Sequence, residues 1–493
     1  MAVRDYEVVI GLEVHCQLAT STKMFSACSY ASGEQPNTHI DAYTLGLPGT
    51  LPRPNRRAVE SAVLLALAVG CELQPRSRWA RKHYFYPDLP KGYQITQNDE
   101  PYALGGSVEI SARDPDEPLA SKRVPLQRIH MEEDAGKNIH AGQLSLVDYN
   151  RAGAPLVEIV SLPALRSAAE AADYVRELRS IVRYLGISQA NMEEGSLRCD
   201  ANVSLRPRGS EQYGVRCEIK NLNSFKFLEA AINAEVRRQA DLLDRGEAVI
   251  SSTLSYDPER DRVSVMRTKE AAADYRYFPE PDMPCLELDP AWIESLRARL
   301  PELPWARKRR LAALGLTPYD AELLTSERAL ADYFDAALAA GPAPEQRAKV
   351  ISNWISGELL RLLNANKLDI SACPVPAAKL AEVVELVEAQ TISARGGKRV
   401  LELLFAEPEL SPAQLVEREG LKQVSDLGAI MAIVREVVAN NPKQVQQLLG
   451  GKDKVRGFFV GQVMRASKGQ ANPKLVQQAL GQVLDELRQS QTD

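Results

Sequence analysis

The most constraining feature of this 493-residue chain is a strict alternation of apolar and ionisable side chains along short segments. Leu12 and Val14, for example, alternate with Glu13 and His15. Because successive side chains of a β-strand point to opposite faces, this pattern predicts a strand with one buried face and one ionisable face. The pattern covers residues 8–18, recurs at residues 198–206 and 215–222, and is joined by a short apolar strand at residues 156–160.

Helical segments lie between these predicted strands. Ser167 and Glu170 have the spacing of a capping box, an apolar stripe follows them, and Gly186 ends the segment. A second helix is predicted over residues 57–69. Strands and helices do not alternate in regular βαβ units, so the predicted fold class is α+β with a largely antiparallel sheet.

The sequence also predicts where this first domain ends. After a proline-rich stretch at residues 279–284, the pattern from about residue 292 is helical almost throughout, with a further break near residues 408–412. The predicted domains are therefore an α+β domain at residues 1–290, an all-α helical domain at 291–408 and a small all-α tail at 409–493.

Composition excludes several classes of protein. Hydrophobic residues make up 45% of the chain and charged residues 25%, which rules out wholesale disorder. No apolar run reaches the ~18 residues of a membrane span, and the N-terminus lacks the basic start of a signal peptide. Seven scattered cysteines suit reduced thiols. We therefore expect a soluble cytoplasmic protein that does not bind a membrane.

Charge is distributed unevenly along the chain, whose net charge is −5. The last 83 residues hold eleven Lys and Arg residues against eight Asp and Glu residues. A basic cluster of this kind is most often a solvated face, but it is also the first place to look for contact with a polyanion. Its members are Lys452, Lys454, Arg456, Arg465, Lys468 and Lys474.

Common nucleotide and hydrolase motifs are missing. The sequence contains neither a P-loop nor a glycine-rich dinucleotide fingerprint, which argues against both of those folds. It also lacks the G-x-S-x-G motif of a serine hydrolase and the paired cysteine spacing of a zinc site.

Acidic and polar clusters in the first domain carry the strongest chemical signal. They lie at residues 13–15, 130–137, 192–202 and 218–224, and Glu158 interrupts an apolar strand. Carboxylates sharing a sheet face with Arg and Lys suit a divalent cation and phosphate groups, because Mg²⁺ prefers oxygen ligands and cations clamp phosphates. The alternative for each cluster is a solvated face with surface ion pairs. His15 alone would more often be a hydrogen-bonded core histidine.

Several of these segments resemble one known family, the B subunits of aspartyl/glutamyl-tRNA amidotransferases. The resemblance extends from about residue 5 to the end of the chain. The matching segments are IGLEVH (10–15), KHYFYPD (82–88), HMEEDAGK (130–137), MEEGSLRCDAN (192–202), DYRYFPE (274–280) and SKGQANP (467–473).

The resemblance implies a fold and an activity. It implies a "cradle" domain with an ATP-dependent, kinase-like site, then a helical domain and a tail that recognises tRNA. It further implies a ligase of protein biosynthesis that phosphorylates the side-chain carboxylate of Glu or Asp misacylated on tRNA, after which ammonia displaces the phosphate. The expected partners are a glutaminase A subunit, a small C subunit and misacylated tRNA, and the expected cofactors are ATP and Mg²⁺.

The resemblance also implies site residues. The predicted catalytic and Mg²⁺-binding residues are Glu13, His15, Glu133, Glu158 and Asp200. Ser196, Arg198 and Lys220 are predicted to contact the phosphates of ATP, the latter two on the basis of charge and strand face. The six basic residues of the tail are predicted to contact tRNA.

One departure from the family pattern concerns zinc. Many members hold zinc with four cysteines, and the corresponding positions here are Ser26, Cys28, Asp41 and Thr44. Three of four thiolates are missing, so we expect no structural zinc.

Two alternative functions stay open from the residues alone. A Mg²⁺- and ATP-dependent ligase of a small carboxylate would not need the basic tail. A non-catalytic tRNA-binding scaffold would not need acids at strand-face spacing.

Overall fold

The computed structural model describes residues 5–30, 33–114, 116–117, 120–268, 275–424, 426–449, 452–467 and 470–489. The chain divides into two compact units, Met1–Arg309 and Arg310–Asp493, which are described separately. Within the described residues, no helix is both long and apolar enough to cross a lipid bilayer.

The first unit combines short strands with a few long helices. Its strands are β1 Tyr6–Gln17, β2 Glu72–Leu73, β3 Arg76–Ser77, β4 Ala80–His83, β5 Tyr93–Thr96, β6 Ala103–Leu104, β7 Ser107–Ser111, β8 Ser121–Glu133, β9 Lys137–Ala141, β10 Leu144–Asp148, β11 Pro155–Ser161, β12 Leu197–Pro207, β13 Cys217–Leu222, β14 Ser252–Asp257, β15 Arg262–Thr268, β16 Phe278–Pro279 and β17 Leu286–Glu287. Its helices are α1 Arg56–Ala68, α2 Ala168–Tyr184, α3 Phe225–Asp244 and α4 Pro290–Arg297, and α5 Pro304–Ala313 spans the division between the units.

One large sheet organises this unit. The strand order is β15-β14-β13-β12-β1-β11-β8-β6-β2, with β7 paired to β8. All of these neighbours run antiparallel except β13 and β14, which are parallel. The predicted α+β class with a largely antiparallel sheet is confirmed.

The alternation seen in the sequence decides which face of this sheet is covered. On β1, Leu12 and Val14 are at most 1% exposed and join the main core, together with Tyr174 and Leu178 of α2 and Leu228 of α3. Fully burying a side chain such as Leu or Val contributes about 1.5–3 kcal/mol. The helices thus cover one face, and the ionisable residues of the same strands lie on the other.

The start of helix α2 has the predicted Ser167 cap, but the second bond of the predicted capping box goes to Arg166 and not to Ser167. The Ser167 hydroxyl accepts a hydrogen bond from the Glu170 backbone N–H, and the Glu170 carboxylate accepts one from the backbone N–H of Arg166. These bonds satisfy backbone donors that a helix start leaves without partners. Gly186, with φ of 66°, follows the end of the helix.

The regular elements among the described residues of the second unit are helices, which are joined by turns and two isolated β-bridges. Its helices are α6 Pro318–Leu324, α7 Arg328–Ala339, α8 Pro344–Trp354, α9 Leu360–Ala365, α10 Ala377–Glu388, α11 Ala394–Ala406, α12 Pro412–Arg418, α13 Leu427–Ala439, α14 Pro442–Leu449, α15 Arg456–Ala466 and α16 Pro473–Gln489. A π-helical turn, Ile355–Leu359, connects α8 to α9, and 3₁₀ turns lie at Ile370–Ala372 and Asp453–Val455.

This unit contains two cores. One extends from Leu311 to Val416, and the other from Ile430 to Leu484. Leu415 and Val416 of α12 pack into the former, so α12, which the sequence assigns to the tail, contributes to the helical core that precedes it. Leu296 of α4 likewise packs into the core of the first unit, beyond residue 290. Our three-domain division remains a prediction.

Candidate active site on the open face of the main sheet

Four adjacent strands place ionisable residues side by side on the open face of the sheet. His15 of β1 lies opposite Arg198 of β12 on one side and Glu158 of β11 on the other. Glu158 in turn lies opposite His130 of β8. Directly opposed residues of antiparallel strands have Cβ atoms about 4.5–5.5 Å apart, so this register brings the side chains together.

Two carboxylates and two imidazoles meet there, and we call these four residues the carboxylate–imidazole cluster. His15 Nε2 is 3.4 Å from Glu158 Oε2 and 3.6 Å from Glu132 Oε1. His130 Nε2 is 3.2 Å from Glu158 Oε2 and 3.8 Å from Glu132 Oε2. Each carboxylate therefore lies within 4 Å of both imidazoles.

The cluster shifts the proton affinity of its members. Burial lowers the pKa of the His15 imidazole, but the hydrogen bond to Glu158 and the charges of Glu158 and Glu132 outweigh it and raise the pKa to about 9. Burial would raise the pKa of the Glu158 carboxyl, yet the two imidazoles hold it well below its usual range. In the metal-free protein the cluster therefore contains an ionised Glu158 beside a protonated His15.

The same atoms form a donor set for a divalent cation. One ligand atom from each of His15, Glu132 and Glu158 lies within 4.8 Å of the other two. Two carboxylates suit a hard cation such as Mg²⁺ or Mn²⁺, and a neutral imidazole adds a nitrogen ligand. Glu132 is further oriented by the Thr96 hydroxyl, which donates to its Oε2 atom at 3.4 Å.

A second group of charged residues continues along β1, β12 and β13. Glu13 lies opposite Asp200, and its carboxylate accepts a hydrogen bond of 3.0 Å from the Asn202 amide. The Lys220 ammonium bridges Asp200 and Glu218 at 3.0 and 2.8 Å. Burial, followed by the charges of neighbouring carboxylates, raises the pKa of Glu13. These residues lie beside the cluster and share its cavity.

The cavity has a volume of about 460 Å³. It contains Glu13, His15, Glu158, Asp200 and Lys220 from the predicted set. No role was predicted from the sequence for its other lining residues, which are Lys82, Thr96, Asn98, Arg128, His130, Glu132, Asn202, Arg216, Glu218, Arg267, Tyr275 and Tyr277.

Glu133, in contrast, points away from this cavity. Its carboxylate forms an ion pair with Lys91 and accepts a hydrogen bond from the backbone N–H of Ile95. Neighbouring residues of a strand face opposite ways, so Glu132 takes the position that we predicted for Glu133. The sequence contained a signal for this, because apolar Ile129 and Met131 alternate with His130 and Glu132.

Two predicted phosphate contacts have other partners in the structure. The Arg198 guanidinium donates to Asp134 Oδ2 at 2.7 Å. The Ser196 hydroxyl accepts from the Asn191 backbone N–H at 2.7 Å and lies 3.1 Å from the Asn191 carbonyl oxygen, so it closes a local turn. Neither Ser196 nor Arg198 lines the cavity.

A buried lysine lies near three of the four family zinc positions, Cys28, Asp41 and Thr44. Lys23 is 1% exposed, and its ammonium lies 3.5 Å from the Thr44 hydroxyl. Burial lowers the pKa of Lys23, while the neighbouring Cys28 and Asp41 oppose that change. Asp41 also accepts a hydrogen bond from the Thr44 backbone N–H at 2.8 Å. A cationic side chain thus lies among the residues that stand at these positions.

The tail places its described basic residues in solvent. Lys452, Lys454, Arg456, Arg465 and Lys474 are exposed, while Lys468 lies outside the described residues. The last helix begins at Pro473 and is capped by Asn472, whose Oδ1 atom accepts a hydrogen bond from the Lys474 backbone N–H at 2.9 Å. Phe459 is fully buried and Phe458 packs against the same core.

Comparison with known proteins assigns this architecture to one class. The sequence profile described as the GatB/GatE catalytic domain matches residues 8–294, which include the whole cavity. The profile described as the GatB domain matches residues 332–484.

Two curated relatives match almost the whole chain. The B subunit of the aspartyl/glutamyl-tRNA(Asn/Gln) amidotransferase from Moorella thermoacetica is 51% identical over 481 residues, covering 97% of this chain and 99% of that protein. The protein of the same name from Thermosynechococcus vestitus is 49% identical over 488 residues, covering 97% of each chain. The chain belongs to the family of aspartyl/glutamyl-tRNA(Asn/Gln) amidotransferase B subunits, which confirms the resemblance inferred from its motifs.

Proposed function

We propose that the cavity on the open sheet face uses ATP to activate the side-chain carboxylate of Glu or Asp misacylated on tRNA. As a family member, the chain is a subunit of a tRNA-dependent amidotransferase, a ligase of protein biosynthesis. The observation that supports the proposal is the carboxylate–imidazole cluster, because an acyl phosphate can form only where phosphate charge is neutralised and held in place.

The cation in this proposal is Mg²⁺. Glu132 and Glu158 would hold it, with His15 as a third ligand and with Glu13 and Asp200 beside them. When bound, the cation supplies charge neutralisation for the phosphates. Lys82 and Lys220 also line the cavity and contribute further positive charge, and neighbouring carboxylates raise the pKa of each despite burial.

The reaction needs two steps because a carboxylate resists attack by ammonia. In the first step, an oxygen of the substrate carboxylate attacks the γ-phosphorus of ATP, the bond to the bridging oxygen breaks, and ADP leaves. In the second, ammonia attacks the acyl carbon of the resulting acyl phosphate, inorganic phosphate leaves with the bonding electron pair, and the nitrogen loses a proton. The product is Gln-tRNA(Gln) or Asn-tRNA(Asn).

The partners are proposed from the family resemblance together with the chemistry. The sequence lacks the G-x-S-x-G motif of a serine hydrolase, which agrees with a separate glutaminase A subunit as the source of ammonia. The small C subunit and the assembly as a heterotrimer are proposed from the resemblance alone. We assign tRNA binding to the exposed basic residues of the tail and a cytoplasmic location to the complex, in keeping with its role in translation.

A comparison of tRNA substrates tests this proposal. The intact amidotransferase should hydrolyse ATP faster with Glu-tRNA(Gln) or Asp-tRNA(Asn) than with the correctly acylated tRNAs, and Glu132→Gln should abolish that stimulation. A fully active Glu132→Gln enzyme would contradict the assignment of the cluster. Stimulation by free glutamate without tRNA would instead favour a ligase of a small carboxylate.

A further inference from the structure

A short segment at residues 275–280, which we call the tyrosine strap, contributes to the lining of the candidate active-site cavity. Two of its side chains, Tyr275 and Tyr277, line the cavity together with Lys82 of β4. The strap is attached to the edge of β4, because β16 within it pairs antiparallel with that strand. The proposed function gives these two tyrosines no role.

Lys82 carries a positive charge that no carboxylate contacts directly. Its ammonium forms neither a hydrogen bond nor an ion pair within 4 Å among the residues that the structure describes. Lys220 of the same cavity, in contrast, bridges two carboxylates. Burial lowers the pKa of Lys82, but the charges of Glu132 and Glu158 outweigh burial and raise the pKa. Lys82 is therefore charged and has no direct anionic partner in this part of the chain.

An aromatic pair lies beside this ammonium. Lys82 Nζ lies over the Tyr275 ring, 5.0 Å from its centroid. The Tyr277 ring packs edge-on against Tyr275, with centroids 5.9 Å apart and planes at 69°. The face of an aromatic ring attracts a cation, yet the ring has no net charge with which to neutralise it. The tyrosines can thus hold Lys82 in place and leave its charge available to an anion in the cavity.

The backbone between the two tyrosines has an unfavourable conformation. Arg276 has a φ angle of 47°, in the left-handed region that residues with a Cβ atom rarely adopt. His83 holds two successive carbonyl groups there. Its backbone N–H donates to the Tyr275 carbonyl oxygen at 2.9 Å, and its Nδ1 atom lies 3.2 Å from the Arg276 carbonyl oxygen. The His83 ring also stacks on Phe278, with centroids 4.8 Å apart.

From these observations we infer that Tyr275, supported by Tyr277, is a positioning residue that holds the Lys82 ammonium where the reaction uses its charge. The turn at Arg276, held by His83, keeps the two rings together. Strained backbone persists where surrounding contacts impose it, and here those contacts come from the strand that carries Lys82. The inference rests on the proposed function, because Lys82 takes part only if the reaction occurs in this cavity.

A substitution series at Tyr275 tests its contact with Lys82. In the intact amidotransferase, Tyr275→Leu should lower kcat for amidation of Glu-tRNA(Gln) or Asp-tRNA(Asn) about 3- to 30-fold, the loss expected for one cation–π contact. Tyr275→Phe keeps the ring and should stay within about twofold of the parent enzyme.

A double-mutant cycle separates positioning from a merely structural role of the ring. In a Lys82→Met enzyme, which lacks the charge, Tyr275→Leu should lower the residual kcat by less than about twofold. A structural role of the ring does not depend on the Lys82 charge. Equal losses from Tyr275→Leu with and without that charge would therefore overturn the inference.

A matched pair of variants at Arg276 tests the turn. Arg276→Gly and Arg276→Val both remove an exposed side chain, but only the β-branched residue opposes a positive φ angle. Arg276→Val should lower kcat at least about fivefold, whereas Arg276→Gly should stay within about twofold of the parent enzyme. Equal activity of the two variants would contradict the role of the turn. If circular dichroism shows that Arg276→Val does not fold, the Tyr275 series decides.

Lys82→Met and Glu132→Gln separate this inference from the proposed function. Both variants should lose the ATP hydrolysis that misacylated tRNA stimulates. Loss in Glu132→Gln with full activity in Lys82→Met would refute the inference and leave the proposed function standing. Full activity in both would refute the proposed function itself. Loss in both, with normal activity of Tyr275→Leu, would refute only the role of the tyrosines.

Discussion

Glu158→Gln is the most informative single change, because Glu158 lies between two imidazoles, 3.4 Å from His15 Nε2 and 3.2 Å from His130 Nε2. The substitution keeps the shape of the side chain and removes its charge. Two effects that raise the pKa of His15 disappear with the Glu158 carboxylate: the hydrogen bond to it, and its electrostatic effect, which is larger than that of Glu132.

The size of the expected loss of stability follows from the pKa of His15. The pKa of His15 rises from 6.5 to about 9 in the metal-free fold, and a difference of roughly 2.5 units corresponds to about 3 kcal/mol. Because the pKa is raised on folding, this stabilisation is fully present below pH 6.5 and is lost as the pH rises through about 9. We expect Glu158→Gln to lose about 1–3 kcal/mol of unfolding free energy at pH 6.5 and little at pH 9.5.

Urea denaturation in the presence of EDTA, at several values between pH 6 and 10, measures this difference. Glu294→Gln is the matched control, since Glu294 forms an exposed ion pair of 3.1 Å with Arg297 on α4 and should change stability little at any pH. The reasoning would be refuted if the difference in unfolding free energy between Glu158→Gln and the parent protein were the same at every pH in this range. With Mg²⁺ present, the same variant should also lose phosphorylation of the carboxylate while glutamine hydrolysis by the partner survives in part.

Three further outcomes are expected. Glu132→Gln should weaken Mn²⁺ binding at least tenfold, as measured by electron paramagnetic resonance. Glu133→Gln changes a residue on the opposite face and should alter the Mn²⁺ affinity by no more than about threefold. Equal effects of the two substitutions would mean that the strand faces are assigned wrongly. Elemental analysis should find no stoichiometric zinc, because Ser26, Asp41 and Thr44 replace three of the four thiolates and the Lys23 ammonium lies nearby; one zinc per chain would contradict this. Truncation after residue 421, which keeps α12 in the helical core, should leave the first unit folded and able to bind ATP, yet weaken tRNA binding and reduce its salt dependence. Lys474→Glu should weaken tRNA binding in part, as measured by filter binding; an unchanged affinity would mean that the basic residues are only a solvated face.

The strands that carry the site could be predicted because their chemistry is local. The alternation around Glu13 and His15 needs no distant information, since a strand with one buried face must place every second residue in the core. The same holds for the cap of α2 at Ser167, where the side chain bonds to the backbone three residues away.

The domain boundaries are harder to predict from sequence. Proline-rich breaks mark where the sequence pattern changes, but which core a helix joins depends on residues that are distant in the chain. Leu296 and Leu415 both follow a proline-marked break, yet each packs with the core that precedes it. An apolar stripe specifies that a helix has a buried face but not which neighbour covers it.

The pattern of residues along the sequence was enough to show which strands have an ionisable face and to predict a largely antiparallel sheet. Its motifs were enough to indicate the family to which the chain belongs. Contacts between distant segments were needed to show that Glu132 rather than Glu133 meets His15, that Arg198 is paired with Asp134, and that Arg128 has no ion-pair partner within the described part of the chain. The physical reason is that strand register and side-chain pairing arise between segments that lie far apart along the chain. A step of one residue along a strand reverses its face, so such contacts are set by packing and not by composition.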